Sequence, residues 1–220
     1  MNPATAPSVR VHVAAGDCEH CRPGPLAQPA NAASSLAYVV AGAAMVRDAA
    51  SHAPERQPVE RAVGWATIAA GLGSVAYHGP GGPWGHYAHD ASLIAMFGLV
   101  TAADVQLLAP DLQIPPIVLV AIPLAAAWGA RPQRSMAAQA VVAGLATAAE
   151  VARIARTPGR PSRRWARRAE LPAFTLGGTL HLLGRTGGPL CRPGSFVQPH
   201  AVWHGLTAFT LWLRSTDTVA

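Results

Sequence analysis

The chain has 220 residues, of which 50% are hydrophobic and only 13% are charged, and its mean hydropathy is +0.23. Soluble domains usually carry about 25% charged residues, so this composition favours an integral membrane protein. The net charge is +6, but the sequence has no nucleic-acid-binding motif and no interleaving of basic and aromatic residues, which argues against nucleic-acid recognition.

Apolar stretches close to the ~20 residues that cross a bilayer as a helix recur along the chain. Seven spans are predicted, at about residues 31–47, 61–79, 90–109, 114–130, 136–155, 169–185 and 198–214. No repeat or composition shift divides them, so residues 1–220 are expected to form one all-α membrane domain, with residues 1–30 before the first span. The first twenty residues lack the pattern of a signal peptide, so the first span is expected to insert the chain.

Arginine predicts the orientation of the bundle, because every basic residue in the chain is arginine. The segment between the fifth and sixth spans carries seven of them: Arg153, Arg156, Arg160, Arg163, Arg164, Arg167 and Arg168. The positive-inside rule places this segment in the cytoplasm, and Arg47, Arg56 and Arg61 between the first two spans agree. Seven spans then put the N-terminus outside and the C-terminus inside. The absence of lysine and the abundance of Ala, Gly and Pro suggest a bacterial source, and hence the bacterial cytoplasmic membrane.

Titratable side chains gather at the outer end of this predicted bundle. His78 ends the second span, and Ser74 lies one turn deeper on the same helical face. Asp90 stands at the head of the third span, and His200 and His204 lie one turn apart at the head of the seventh. Ionisable groups at membrane depth are costly and usually mark a functional site.

The three histidines from two spans predict a metal site. His78, His200 and His204 offer three neutral nitrogens for Zn2+ and leave a fourth tetrahedral position for water, whose pKa such a site lowers to about 7. Taken singly, each motif has a simpler interpretation. An HxxxH pair is more often two interfacial histidines, and a serine in a helix often bonds the carbonyl four residues back. The joint pattern on one side of the membrane favours the metal.

Three motifs carry a family resemblance. SVAYH in the second span, HD at the head of the third and HAVWH at the head of the seventh resemble the alkaline ceramidase family. That family lies within the superfamily of seven-helix membrane hydrolases that includes the progestin and adiponectin receptors. DCEHC followed by QPANAASSLAYVVAG adds to the resemblance, which covers nearly the whole chain in order. It implies a zinc-dependent hydrolase that cleaves the amide bond of ceramide or a similar N-acyl membrane lipid.

The resemblance also implies a role for each site residue. His78, His200 and His204 match the zinc ligands. Asp90 matches the acid that exchanges protons with the water and the leaving amine, and Ser74 matches the hydroxyl that steadies the oxyanion. Amide hydrolysis needs these functions on chemical grounds as well.

A calcium site is a further implication. Eukaryotic members of the family build one in the N-terminal segment, and Asp17, Glu19 and Asn31 match ligands of that site. Gln28 stands where a later acidic position is expected, which leaves fewer oxygens than the six or more that calcium needs.

The three cysteines all fall on the predicted outer side. A disulfide between Cys18 and Cys191 would join the N-terminal segment to the loop before the seventh span and leave Cys21 free. A zinc knuckle at Cys18 and Cys21 is the alternative, although the chain has no second pair to complete it.

Three other histidines receive lesser roles. His86 is interpreted, with Trp84, as an interface residue, and His89 as support for the site. His181 in the sixth span is expected to be packed and hydrogen-bonded. His181 is the first alternative metal ligand if one of the three predicted histidines does not bind the metal.

Two other function classes compete with the hydrolase. A metal-containing lipid receptor or binding protein would use the same site without turnover. A transporter would need polar ligands at mid-membrane, whereas these residues cluster at one end. A retinal pump is excluded, because the Schiff base needs a lysine and the chain has none.

Overall fold

A computed structural model describes residues 12–157 and 164–217. Every regular element within them is helical, which confirms the all-α prediction. The α-helices are α1 (Pro29–Ser34), α2 (Leu36–Asp48), α3 (Gln57–His78), α4 (Gly82–Leu108), α5 (Pro116–Gly129), α6 (Ser135–Arg156), α7 (Arg164–Leu183) and α8 (Pro199–Asp217). Short 3-10 turns cover Ala15–Asp17 and Ala49–Ser51.

The first predicted span is two helices rather than one. The hydroxyls of Ser34 and Ser35 both bond the Asn31 carbonyl, at 3.0 and 2.7 Å, and such bonds compete with the regular helical ladder. Helices α1 and α2 nevertheless follow each other directly, and together with the turn after them they form the segment Pro29–Ser51.

The third predicted span begins earlier than expected, at Gly82 rather than near residue 90. Gly81 and Gly82 have φ angles of 64° and 74° and make the turn after α3, and Pro83 takes a place in the first turn, where its missing N–H costs nothing. His86 and Asp90 therefore lie one turn apart on a regular helix. The other five predicted spans agree with α3, α5, α6, α7 and α8 to within a few residues.

Glycines allow close packing of the first helices. Helix α3 packs against α2 and α4, and α8 packs against α7 and α2. A Cβ added at Gly42 would lie 2.6 Å from the Gly64 carbonyl oxygen, and one at Gly73 would lie 2.7 Å from that of Ala88. Only glycine tolerates such approaches, which are common between helices in membranes. This packing brings the end of α3 beside the start of α8.

In the part of the chain that the structure describes, three helical segments are long and apolar enough to cross a membrane: Pro29–Ser51, Gly82–Leu108 and Ser135–Arg156. Helix α5 is apolar but shorter. Large hydrophobic side chains are exposed on the outside of the bundle, among them Trp65 at 60%, Ile117 at 69% and Leu124 at 68%. A surface of this kind is adapted to lipid rather than to water.

A buried ionic cluster occupies the end of the bundle away from the histidines. It consists of Arg153 and Arg214 with the carboxylates of Glu60, Asp104, Glu150, Glu170 and Asp217, and all of these except Glu150 are at most 4% exposed. The cluster ties together α3, α4, α6, α7 and α8. Fourteen residues of α8 separate Arg214 from His200, which is roughly 20 Å along the helix.

The contacts within the cluster are short, and each arginine bonds more than one carboxylate. Arg214 bonds Asp104 at 2.6 and 2.9 Å and Glu60 at 3.3 Å. Arg153 bonds both oxygens of Glu170, at 2.8 and 2.9 Å, and Asp217 at 2.9 Å. Of the arginines expected to mark the cytoplasmic end, Arg153, Arg156, Arg164, Arg167 and Arg168 lie at this end of the bundle, and Arg160 and Arg163 lie outside the described residues.

We expect Arg214→Leu to destabilise the bundle by about 3–5 kcal/mol, because it leaves Asp104 buried without its main cation and removes one of the two arginines, Arg56 and Arg214, that bond Glu60. Arg47→Leu is the matched control. Arg47 is 76% exposed and pairs only with its neighbour Asp48, so its loss should change stability by less than about 1 kcal/mol. Thermal unfolding in detergent, followed by circular dichroism, measures both. Equal shifts for the two variants would contradict the structural role of the cluster.

Candidate metal centre

Three buried histidines converge between α3 and α8. His78 is the last residue of α3, and His200 and His204 lie in the first two turns of α8. They are 0%, 8% and 2% exposed, and their ring centroids are 4.5 to 5.2 Å apart. One ligand nitrogen from each lies within 4.8 Å of the others, a spacing at which the group could hold a metal ion. The three predicted ligands are thus together in space.

Gln28 determines which nitrogen of His78 faces the group. Its amide nitrogen donates to the carbonyls of Ala14 and Glu19, at 2.8 and 2.9 Å, so its oxygen is the atom that lies 2.8 Å from His78 Nδ1. An amide oxygen only accepts. Nδ1 of His78 therefore carries the proton, and Nε2 has a free lone pair.

Ser34 determines which nitrogen of His204 carries the proton. Its hydroxyl donates to the Asn31 carbonyl at 3.0 Å and lies 2.9 Å from His204 Nδ1. Because the single hydroxyl proton is already engaged, Ser34 accepts the proton of Nδ1. The lone pair of His204 is again on Nε2.

His200 turns its Nδ1 toward Asp17 and His181. The nearer Asp17 oxygen is 3.5 Å away, and His181 Nδ1 is 2.9 Å away. Burial raises the pKa of the Asp17 carboxyl to about 6, with His89 and Arg185 acting against it. The hydrogen bond of His200 Nδ1 is to His181 Nδ1, so one of these two nitrogens carries the proton between them. Asp17, His181 and His200 also form a second group within metal-binding distance.

The Nε2 atoms of the three histidines have few hydrogen-bond partners and are available as metal ligands. Nε2 of His78 and Nε2 of His200 are buried without a hydrogen-bond partner among the described residues, and Nε2 of His204 has only Ser74 Oγ, at 3.5 Å. A buried nitrogen lone pair without a partner is unfavourable. Two such nitrogens, together with the weakly bonded Nε2 of His204, in a group whose ligand nitrogens lie within 4.8 Å of one another, fit a metal cation.

A disulfide and hydrogen bonds hold the N-terminal segment over this centre. A disulfide joins Cys18 to Cys191 with a Cα–Cα distance of 5.5 Å, and Cys21 is free. Thr186 Oγ1 accepts a hydrogen bond from the backbone N–H of Cys18 at 3.1 Å and donates one to the carbonyl oxygen of Ala15 at 2.6 Å. The segment that carries Asp17 and Gln28 is thus tied to the loop before α8, as the cysteine positions predicted.

A cavity of about 540 Å³ opens from the histidines toward the helices. Its wall includes the apolar or aromatic side chains of Tyr38, Leu93, Phe97, Phe174 and Trp203, and its polar lining is Ser74, His89, Gln139, His181, His200, His204 and Thr207. The wall is thus mainly apolar. The volume lies within the usual range of ligand sites, roughly 300–1,000 Å³. Helix α6 packs on α4 whereas α7 packs on α8, and the cavity lies where the two pairs separate.

Asp90 is buried beside this cavity and is reached from it through His89. One Asp90 oxygen lies 2.9 Å from His89 Nδ1, and the other bonds the Ser135 hydroxyl and lies 3.1 Å from His86. His89 itself lines the cavity. His86, which we interpreted as an interface residue, is therefore a partner of Asp90.

The residues predicted for calcium serve different contacts. Both carboxylate oxygens of Glu19 accept backbone amides at the start of α1, from Ala30 and Asn31, each at 2.8 Å. Glu19 thus caps this helix, where negative charge is favourable, while Asp17 faces His200. Calcium binding at Asp17, Glu19 and Asn31 stays a prediction.

The chain matches no protein-family model, and it matches no curated protein sequence.

We expect Gln28→Leu to weaken metal binding about 10- to 100-fold, because His78 loses the acceptor that holds its orientation and tautomer. Competition between the protein and a chelator for Co2+ measures the affinity. Gln113→Leu, at an exposed loop position, is the control and should bind like wild type. Unchanged affinity in Gln28→Leu would show that Gln28 does not support a ligand.

Proposed function

We propose that this chain is a zinc-dependent membrane hydrolase that cleaves the amide bond of ceramide or a similar N-acyl lipid, as its resemblance to the alkaline ceramidases implies. The observation that carries the proposal is the convergence of three buried imidazoles, with one ligand nitrogen of each within 4.8 Å of the others, beside a largely apolar cavity that His200 and His204 line. Such a site combines a place for a metal with space for a lipid tail.

Zinc is the metal that best fits this donor set. Three neutral imidazoles from His78, His200 and His204, with one position open, are the arrangement of catalytic zinc sites. Supporting acceptors on the other ring nitrogens are usual around such ligands, and Gln28 and Ser34 fill that role here. When bound, Zn2+ supplies a Lewis acid and lowers the pKa of a coordinated water.

The proposed setting is a seven-span bundle in a bacterial cytoplasmic membrane, with the N-terminus and the histidines toward the outer leaflet. Three segments have the length and hydropathy of spans, and the arginine-rich end lies away from the histidines. The disulfide between Cys18 and Cys191 is consistent with an oxidising exterior.

The lipid enters from the side, between α6 and α7. These two helices pack on different neighbours, and the cavity wall between them is formed by Ala143 and Leu182, among other residues. The acyl chain occupies the apolar part near Phe97 and Phe174, which places the amide at the histidine end.

The chain's own side chains handle the protons of the reaction. Amide hydrolysis must deliver a proton to the departing nitrogen and stabilise charge on the carbonyl oxygen. His89 faces the cavity and exchanges the proton, while Asp90 holds its ring by accepting from Nδ1 at 2.9 Å. Ser74, whose Oγ lies 3.5 Å from His204 Nε2, donates to the carbonyl oxygen.

Replacing a ligand tests the proposed zinc site. We expect His78→Ala and His204→Ala each to lose most of the zinc, about one ion per chain in the wild type, together with the release of fatty acid from ceramide. His20→Ala is the matched control, since His20 is exposed at the same end of the molecule. Elemental analysis and a lipid panel scored for free fatty acid give the two readouts. Full zinc and full turnover in both ligand variants would reject the assignment.

Asp90→Asn and His89→Gln distinguish a hydrolase from a lipid receptor. Both variants should retain zinc, because neither residue is a proposed ligand, and both should lose turnover by about 100-fold or more, the usual contribution of a proton-transfer group. Ser92→Ala on the same helix is the control. If the wild type binds zinc and ceramide but releases no fatty acid from any lipid in the panel, the chain is a receptor or binding protein.

A further inference from the structure

A second cavity lies on the outside of the bundle and shares no lining residue with the cavity at the histidines. Helices α5 and α6 both pack on α4, and the groove between them has a volume of about 550 Å³. Its floor and walls are apolar and consist mainly of Ile94, Gly98, Ile122, Ala126, Ala138 and Val142. A groove of this shape and lining is suited to a hydrocarbon chain.

One end of the groove carries two guanidinium groups. Arg134 lines it directly, and the guanidinium carbons of Arg131 and Arg134 lie 3.6 and 4.8 Å from the ring centroid of Trp128. Within residues 12–157 and 164–217, neither group forms an ion pair with a carboxylate. Trp128 is 51% exposed. Two cations held over an exposed aromatic ring, and not neutralised, form a site for an anion.

The groove lies along membrane-crossing helices. Helices α4 and α6 are two of the three segments that are long and apolar enough to span a bilayer. The outer face of α5 exposes Val120 by 56% and Leu124 by 68%, which continues the apolar lining onto the surface. Tryptophan and arginine at the end of such helices belong to the headgroup level. The anion that fits is therefore attached to an apolar chain.

The two arginines lie at the histidine end of the molecule. Ser135 begins α6 and bonds Asp90, so Arg131 and Arg134, just before it, are at that end, where Arg22, Arg185 and Arg192 also lie. Of these arginines, Arg134 lines the groove and Arg131 lies over the same tryptophan ring.

We propose that the groove between α4, α5 and α6 binds an anionic glycerophospholipid from the surrounding membrane. One acyl chain lies in the groove, and the phosphate accepts hydrogen bonds from Arg131 and Arg134, whose planar guanidinium groups match phosphate oxygens. The site is separate from the histidine centre and does not depend on the proposed hydrolysis.

Native mass spectrometry of the full chain tests the headgroup. The detergent-purified protein is mixed with phosphatidylglycerol or phosphatidylcholine of identical acyl chains. We expect the anionic lipid to bind more tightly, and its advantage to fall about fivefold for each guanidinium removed in Arg131→Gln and Arg134→Gln. Arg22→Gln, at an exposed position at the same end of the bundle, should leave the advantage unchanged. Equal binding of the two lipids by wild type would overturn the assignment of an anionic headgroup.

A second variant tests the groove itself. Ala137 lines it, and Ala137→Phe should fill it and abolish the tight binding of both lipids, whereas Ala137→Ser should not. Thermal unfolding establishes that both variants fold. Undiminished binding in Ala137→Phe would show that the lipid sits elsewhere. If Ala137→Phe instead converts a wild-type dimer to a monomer, the groove is an interface between two copies and the lipid proposal is wrong.

Discussion

The candidate site depends on hydrogen bonds that act on the far side of each histidine ring. Gln28 and Ser34 accept the Nδ1 protons of His78 and His204, and Asp17 lies 3.5 Å from Nδ1 of His200. The lone pairs of His78 and His204 are therefore on Nε2, and one ligand nitrogen of each of the three rings lies within 4.8 Å of the others. All three supporting residues belong to the N-terminal segment or the helix that directly follows it. That segment is therefore part of the site rather than a covering over it.

Covalent and ionic bonds act at opposite ends of the bundle to hold this arrangement. At the histidine end, the disulfide between Cys18 and Cys191 joins the N-terminal segment to the loop that leads into α8. At the other end, Arg153 and Arg214 connect five helices through buried carboxylates. Since α8 carries His200 near its start and Arg214 near its end, the ionic cluster limits how far the metal ligands can shift along the helix axis.

Much of this architecture could be predicted from the sequence because hydrophobic length and histidine spacing are local properties. The HxxxH pair of α8 and the histidine before Gly79 identify the three rings that converge. The early start of α4 could not be predicted with equal ease, because GPGGPWG looks like a turn throughout, whereas the turn covers only residues 79–81 and Gly82 already begins the helix. The role of Gln28 was missed for a different reason. Its contact with His78 spans 50 residues, and no spacing pattern in a single sequence reports it.

Asp90 illustrates the limit of assigning roles by motif. The sequence places it at the head of the third span, and it is buried near the histidines as expected. The structure adds that its oxygens are engaged by His86, His89 and Ser135, so that His89 is the side chain exposed to the cavity. Because the cavity and the direction of a side chain are tertiary properties, the sequence alone could not show which of these neighbouring residues faces the cavity.

The central claim is that three imidazoles and no thiolate hold a zinc ion. X-ray absorption at the zinc edge, measured on the purified full-length protein, tests it most directly. For three histidine ligands we expect about three nitrogens at about 2.0–2.1 Å from the zinc, together with a light-atom ligand in the fourth position. A sulfur shell at about 2.3 Å would place the zinc at cysteine instead. Protein that takes up no zinc from zinc-containing buffer would show that the three histidines do not form a zinc site.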